Sequence, residues 1–95
     1  MANYYHHPER VIHHPALTLK YVRPARRPGL RVVVGVKTAS KATQRNLLKR
    51  RLREVWRAAA VPPDVMATIY TSKATLDLSF TDLKKIIINF VRQFT

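Results

Sequence analysis

The sequence contains no cysteine, which excludes disulfides, thiol chemistry and zinc sites built from cysteine. It has no apolar run long enough to cross a bilayer. Its N-terminus lacks the basic start and apolar stretch of a secretory signal. These absences fit a reducing compartment, and we expect a cytoplasmic protein.

Acidic residues are scarce, with five Asp and Glu against 18 Lys and Arg, and the formal net charge is +13. A protein hydrolase requires acids, bases or nucleophiles that converge on one point. Here no serine lies in a recognisable nucleophile motif, and the acids are scattered along the chain as Glu9, Glu54, Asp64, Asp77 and Asp82. We therefore predict that this chain contains no catalytic residues.

The positive charge is concentrated in the middle of the chain. Residues 20–57 hold thirteen Lys and Arg and one acid, a net charge of +12. Residues 58–95 carry +1, and the charges of residues 1–19 cancel. A patch of this kind favours a polyanionic partner, with nucleic acid the leading candidate.

The centre of this basic region, residues 41–57, is predicted to be an amphipathic helix. Leu48, Leu52 and Val55 recur at helical spacing and form a face suited to a core, with Trp56 at its edge. Like charges one turn apart destabilise a helix, so a row of cations on the other face indicates phosphate binding rather than simple solvation. The predicted RNA-binding residues are Lys37, Lys41, Arg45, Asn46, Lys49, Arg50, Arg53 and Arg57.

The rest of the chain predicts a two-layer α+β fold. Three strands are predicted, at residues 17–22, 30–36 and 65–71, the first two paired as a hairpin. Residues 1–16 are expected to be an irregular lead-in, with a short edge strand around residues 10–13. Ser79 and Asp82 have the spacing of a helix cap, and the apolar stripe that follows predicts a closing helix packed on the sheet.

Two histidine pairs in the lead-in, His6-His7 and His13-His14, raise the question of a metal site. Adjacent histidines point apart on a strand, and the only nearby acid is Glu9, so we predict no metal ligands in the protein.

The sheet face that carries Thr18 and Lys20 has two interpretations. It contacts single-stranded RNA, or it faces solvent. The alternation of the predicted strand favours neither one.

Residues 45–54, Arg-Asn-Leu-Leu-Lys-Arg-Arg-Leu-Arg-Glu, resemble the Arg-Asn-Arg-x-Lys-Arg-x-x-Arg-Glu motif of the bacterial ribonuclease P protein subunit. Leu78-Ser79-Phe80 and Leu83-Lys84-Lys85 resemble the closing helix of that family, and the likeness spans roughly residues 10–92. The chain resembles a short form that lacks most of the family's basic, aromatic first helix.

One departure lies within the motif, because Leu47 stands where the family has arginine. Helical projection places Leu47 about 160° from Lys49 and about 100° from Leu48, so it lies off the main cationic stripe and off the centre of the apolar face. We expect an exposed position there.

The resemblance implies an accessory subunit of an endoribonuclease. The RNA subunit is then the catalyst and binds the hydrolytic Mg²⁺, while the protein binds that RNA and assists removal of the 5′ leader from precursor tRNA. Thr18 and Lys20 become candidates for leader contact. The implied fold is like domain 2 of ribosomal protein S5, with a small mixed sheet, a basic crossover helix and a C-terminal helix, in one RNA-binding domain over residues 1–95.

Two other functions remain open. A structural RNA-binding protein of ribosomal type would have the same basic helix without a role in tRNA processing. A DNA-binding or membrane-surface module is disfavoured. The helix has no evident helix-turn-helix partner, and its apolar face is needed to pack on the sheet.

Overall fold

The structure is a computed structural model that describes residues 9–94. Its elements are β1 (Arg10–His13), β2 (Leu17–Val22), β3 (Gly29–Val33), α1 (Ala42–Ala58), β4 (Met66–Thr71), α2 (Lys73–Leu76) and α3 (Phe80–Arg92). The strands form one mixed sheet in the order β1-β2-β4-β3. α1 and α3 pack their apolar stripes on one face of this sheet. The predicted two-layer α+β architecture is therefore confirmed.

The core follows the predicted periodicities. In β2, Leu17, Leu19 and Tyr21 are buried and alternate with half-buried residues. Two helical stripes, from α1 and α3, cover this face; their buried members are Leu48, Leu52, Val55, Leu83, Ile87 and Phe90. A fully buried leucine such as Leu52 typically stabilises a fold by about 2–5 kcal/mol relative to alanine, so these stripes hold the two layers together.

The predicted hairpin between the strands at residues 17–22 and 30–36 is wrong. β2 instead pairs antiparallel with β4, and β3 pairs parallel with β4 on its other side. The chain between β2 and β3 is tied to the segment before β4. The amide of Ala25 donates to the carbonyl of Asp64 (2.8 Å), and the amide of Gly29 donates to that of Val65 (3.0 Å). These hydrogen bonds hold the connection against the N-terminal end of β4, so the chain crosses there before β3 begins.

An ion pair stabilises the same connection, because Arg23 Nε lies 3.0 Å from Asp64 Oδ1 and 3.3 Å from Oδ2.

β3 ends at Val33, earlier than predicted. The carbonyl of Gly35 accepts hydrogen bonds from the amides of Thr38 and Ala39, which turns the chain toward α1. Gly35 therefore belongs to a turn and not to the strand.

The end of α1 and the start of α3 lie close to the positions predicted from the sequence. α1 ends at Ala58, and Ala60 takes a left-handed conformation (φ 54°) before the Pro62-Pro63 pair. At the start of α3, Ser79 Oγ accepts a hydrogen bond from the amide of Asp82 (3.1 Å), so the predicted cap is confirmed.

The short helix α2 was not predicted, because four residues are too few to reveal a helical period. Its buried Thr75 donates to the carbonyl of Ala16 (2.6 Å) and accepts from the amide of Ser72 (2.9 Å). This network fixes the turn between β1 and β2 against α2.

The lead-in at residues 1–16 is only partly irregular, because Arg10–His13 forms the edge strand β1. This confirms the expected short strand, and its register with β2 pairs Val11 with Lys20. The rest of the prediction for residues 1–8, which includes His6 and His7, lies outside the described residues.

Candidate nucleic-acid interface

One side of α1 presents a continuous polar surface to solvent. We call it the basic face; it consists of Asn46, Lys49, Arg50, Arg53 and Arg57. These five side chains line one shallow depression of about 500 Å³, together with Glu54. At a rise of about 1.5 Å per residue, the face extends roughly 16 Å along the helix axis. Five of the eight predicted RNA-binding residues thus lie side by side.

The charge of the basic face is poorly neutralised. Its four cations surround one acid, Glu54. Arg50 and Glu54 are four residues apart, a spacing that permits pairing, yet no ion pair joins them in the part of the chain that the structure describes. The face is consequently electropositive and suited to phosphate groups.

Arg45 has a different environment from the basic face. Its Nη1 donates hydrogen bonds to the carbonyls of Ala39 and Ser40, both at 2.9 Å, and the side chain is half-buried. Arg45 therefore ties the loop before α1 to the first turn of the helix. This structural role was not predicted from the sequence.

The other two predicted residues lie at the start of α1. Lys41 is the N-cap, is exposed and makes no side-chain capping bond. Lys37 is exposed in a separate depression of about 650 Å³, beside Lys73 and Asp77 of the α2 region. The structure thus brings neither residue into the basic face.

Thr18 and Lys20 lie on the sheet face opposite the two long helices, because their neighbours along β2 point into the core. The strand register places further polar and aromatic residues on the same side of the sheet. We call this side the open face; its residues include His13, Thr18, Lys20, Arg31, Thr68 and Tyr70. No helix covers this face within residues 9–94.

Tyr70 is the most informative residue of the open face. It pairs with Thr18 across β2 and β4, and its side chain is 39% exposed. The Nζ of Lys20 lies 5.2 Å from the centroid of its ring. An exposed aromatic ring beside a cation is suited to stacking on an unpaired base. The alternation of residues along β4 could have identified Tyr70 as a residue of this face. The incorrect hairpin paired β2 with β3, so the proximity of Tyr70 to Thr18 was not predicted.

Trp56 lies at the edge of the core, as predicted. It is half-buried, and its ring centroid is 6.0 Å from that of Phe94. Phe94 in turn packs 4.4 Å from Tyr21. Trp56 thus packs on the core and helps fix the helix that carries the basic face.

The acids of the described chain are spread among separate structural positions. Asp64 pairs with Arg23, Asp82 lies in the first turn of α3, and Asp77 is the C-cap of α2. Between residues 9 and 94, no cluster of three or more His, Asp or Glu is arranged to hold a metal ion. None of the helices in this range has the length and apolar character needed to span a membrane.

A mixed sheet backed by two long helices, one of them with a cationic outer face, defines a small α+β nucleic-acid-binding protein. The sequence model of the Ribonuclease P family matches residues 3–95, and the chain therefore belongs to that family. The predicted resemblance is confirmed. The chain is a protein subunit of the ribonuclease P endoribonuclease, a ribonucleoprotein of tRNA processing whose partner is RNase P RNA. The ribosomal-type alternative receives no support.

Solved structures of the RNase P protein from Thermotoga maritima share the fold. One, in complex with 1-(4-fluorophenyl)-2-thiourea, has a TM-score of 0.75 and covers 92% of this chain and 87% of its own. Another has a TM-score of 0.77, with 92% and 84% covered. Both are 21% identical to this chain. A search of curated proteins finds no significant match.

Proposed function

We propose that the basic face of α1 binds RNase P RNA and that the open face of the sheet contacts the single-stranded 5′ leader of precursor tRNA. The observation that carries this proposal is the depression of α1, in which four cations and Asn46 converge around a single acid. Lys37 and Lys41 extend the RNA contact toward the start of the helix, and Arg45 adds to it while it anchors the preceding loop.

The geometry of the basic face supports binding to phosphates. Arginine presents a rigid fork that can hold a phosphate with two hydrogen bonds, and Arg50, Arg53 and Arg57 are all exposed. Asn46 can donate and accept at a sugar or base edge. Because these side chains project from one helix fixed on the core, little backbone ordering is needed when RNA binds.

The open face supports contact with unpaired nucleotides in a different manner. Tyr70 offers an aromatic surface on which a base can stack, and Lys20 lies beside its ring. Arg31, which pairs with Thr68, adds a second cation to the same face. Thr18 and Thr68 add hydroxyl groups for the sugar and the phosphate. A leader without secondary structure is the segment of precursor tRNA that such a flat surface accommodates.

The RNA performs the chemistry in this proposal, with Mg²⁺ bound through the RNA subunit. The protein adds positive charge where two RNA molecules approach each other, so fewer metal ions are needed to offset phosphate repulsion. The carboxylate of Asp64 is paired with Arg23, and Asp82 lies apart from it in the first turn of α3, which supports a protein that is inactive alone.

The test is cleavage of precursor tRNA by a bacterial RNase P RNA over a range of Mg²⁺ concentrations, with and without this protein. We expect the protein to lower the Mg²⁺ required and to cleave nothing alone. The proposal is wrong if the protein alone performs Mg²⁺-dependent cleavage at the mature tRNA end and one carboxylate mutation abolishes it. Duplex DNA is the binding control, and we expect weaker retention on it at moderate salt.

A further inference from the structure

A small groove lined by five leucines and three polar residues lies beside the basic face, where α1, α2 and the start of α3 meet. We call it the flank groove, and its volume is about 210 Å³. It is lined by Gln44, Leu47, Leu48, Arg51, Thr75, Leu76, Leu78 and Leu83. None of the functions discussed above uses it.

We propose that the flank groove receives one unpaired nucleobase of RNase P RNA, with Arg51 binding the adjacent phosphate. The proposal rests on the proposed function, since it assumes that this RNA lies on the basic face. It adds an apolar subsite to an interface otherwise made of cations.

The position of the groove on α1 favours RNA. Leu47 precedes Arg50 and Arg51 by three and four residues, so the three side chains are neighbours on the helix surface. Arg50 belongs to the basic face, whereas Leu47 and Arg51 line the groove. A strand whose phosphates contact Arg50 therefore lies close to the rim of the groove.

The rim of the groove exposes apolar side chains to solvent. Leu47 is 40% exposed and Leu76 is 43% exposed, and Arg51 lines the same groove. Covering apolar area of this kind is favourable because it is removed from water. A base offers flat apolar faces for that contact and polar edges for its surroundings.

The polar groups of the groove are few and suitably placed. Gln44 and Arg51 lie seven residues apart, about 10 Å along the helix. The side-chain amide of Gln44 makes no hydrogen bond within residues 9–94, so it is available to a base edge. The hydroxyl of Thr75 is already committed to Ala16 and Ser72. The groove therefore offers an apolar floor, one amide and one cation.

Size and charge select among occupants. The volume of about 210 Å³ is below the roughly 300–1,000 Å³ of pockets for drug-sized ligands, so one ring system fits. A second copy of the chain is disfavoured, because each copy carries a net charge of +13 and Arg51 lies at the rim. An RNA nucleotide satisfies both the apolar floor and the cationic rim.

The test compares Leu76→Ser with Ile88→Ser, using the full chain and RNase P RNA. Ile88 is a matched control, because it is 39% exposed on α3 and does not line the groove. We expect the wild-type protein to protect one unpaired base of the RNA from reagents that modify base edges. Leu76→Ser should restore that reactivity and weaken binding roughly five- to twenty-fold with an unchanged salt slope. Arg51→Gln should make the slope of log affinity against log salt concentration less steep by about one.

Three outcomes would overturn the inference: no protected base, equal protection by wild type and Leu76→Ser, or equal loss of affinity in both serine variants. A groove variant that changes only the sedimentation of the free protein would identify a self-association surface instead. Thermal unfolding shows whether each variant is folded. If wild-type binding to this RNA does not depend on salt, the proposed function fails before the groove is tested.

Discussion

The basic face of α1 and the open face of the sheet lie on opposite sides of the sheet and are built in opposite ways. The basic face comes from twelve consecutive residues, 46–57, of one helix. The open face draws on all four strands and joins His13 to Tyr70 through Thr18. One surface is dense in charge, and the other combines two cations with an exposed ring.

This difference indicates how each surface recognises RNA. A row of cations binds phosphates, and its affinity falls steeply with salt because bound counterions are released. An aromatic residue on a sheet stacks on bases, a contact that depends much less on salt. The two surfaces should therefore be separable by salt dependence as well as by mutation.

The largest expected effect tests the basic face. Replacing Lys49, Arg50 and Arg53 with Ala should weaken binding to RNase P RNA by about 100-fold or more at low salt, because three phosphate contacts are lost. The slope of log affinity against log salt should become less steep by up to about one per contact. Filter binding or fluorescence titration at several salt concentrations measures both quantities.

The control for that variant removes the same charge elsewhere, by replacing Lys84, Lys85 and Arg92 of α3 with Ala. We expect a smaller loss of affinity from it. An equal loss in both triple variants would mean that net charge, and not the basic face, governs binding.

The second prediction concerns the open face. Tyr70→Ala should weaken binding of precursor tRNA by roughly 1–3 kcal/mol, the typical contribution of stacking one base. Binding of mature tRNA, which has no leader, should be unchanged, and the salt slope should stay the same. Tyr70→Phe keeps the ring and should bind like the wild type. A similar loss for precursor and mature tRNA would place the leader elsewhere.

The third prediction concerns the Thr75 network, which fixes the turn between β1 and β2, two of the strands that form the open face. Thr75→Val should lower the free energy of unfolding by about 1–3 kcal/mol, because the amide of Ser72 loses its partner and the carbonyl of Ala16 loses one of two donors. Thr75→Ser keeps the hydroxyl and should cost less. Chemical denaturation measures the change. Stability unaffected by the valine variant would show that this network is dispensable.

The smallest expected effect is at Leu47, whose predicted exposure is confirmed at 40%. Leu47→Arg should leave the free energy of unfolding within about 0.5 kcal/mol of the wild type. It adds a charge-assisted phosphate bond, about 1.5–3 kcal/mol before the side chain is ordered. The stem of the new side chain can still cover the rim of the flank groove.

We therefore expect a modest gain in affinity for RNase P RNA, larger than any gain for the leader. Leu47→Gln is the uncharged control and should give no gain. A large loss of stability in Leu47→Arg would mean that Leu47 supports the core after all.

The sequence by itself determined the parts of this protein that depend on local spacing. The helical period of Leu48, Leu52 and Val55 predicted α1, and the same period gathered the basic face on its other side. The Ser79 cap and the stripe that follows it predicted α3 in the same way. These features are local because a helix satisfies its backbone hydrogen bonds within a few residues.

Only the tertiary structure decided the open face and the flank groove. A strand finds its hydrogen-bond partner elsewhere in the chain, so alternation in β2 and β4 predicted the two strands but not their pairing. The bonds from Ala25 to Asp64 and from Gly29 to Val65 set β3 beyond β4. That arrangement left β2 beside β4 and brought Tyr70 next to Lys20. The groove likewise exists only because α2, too short to be seen in the sequence, packs against α1 and α3.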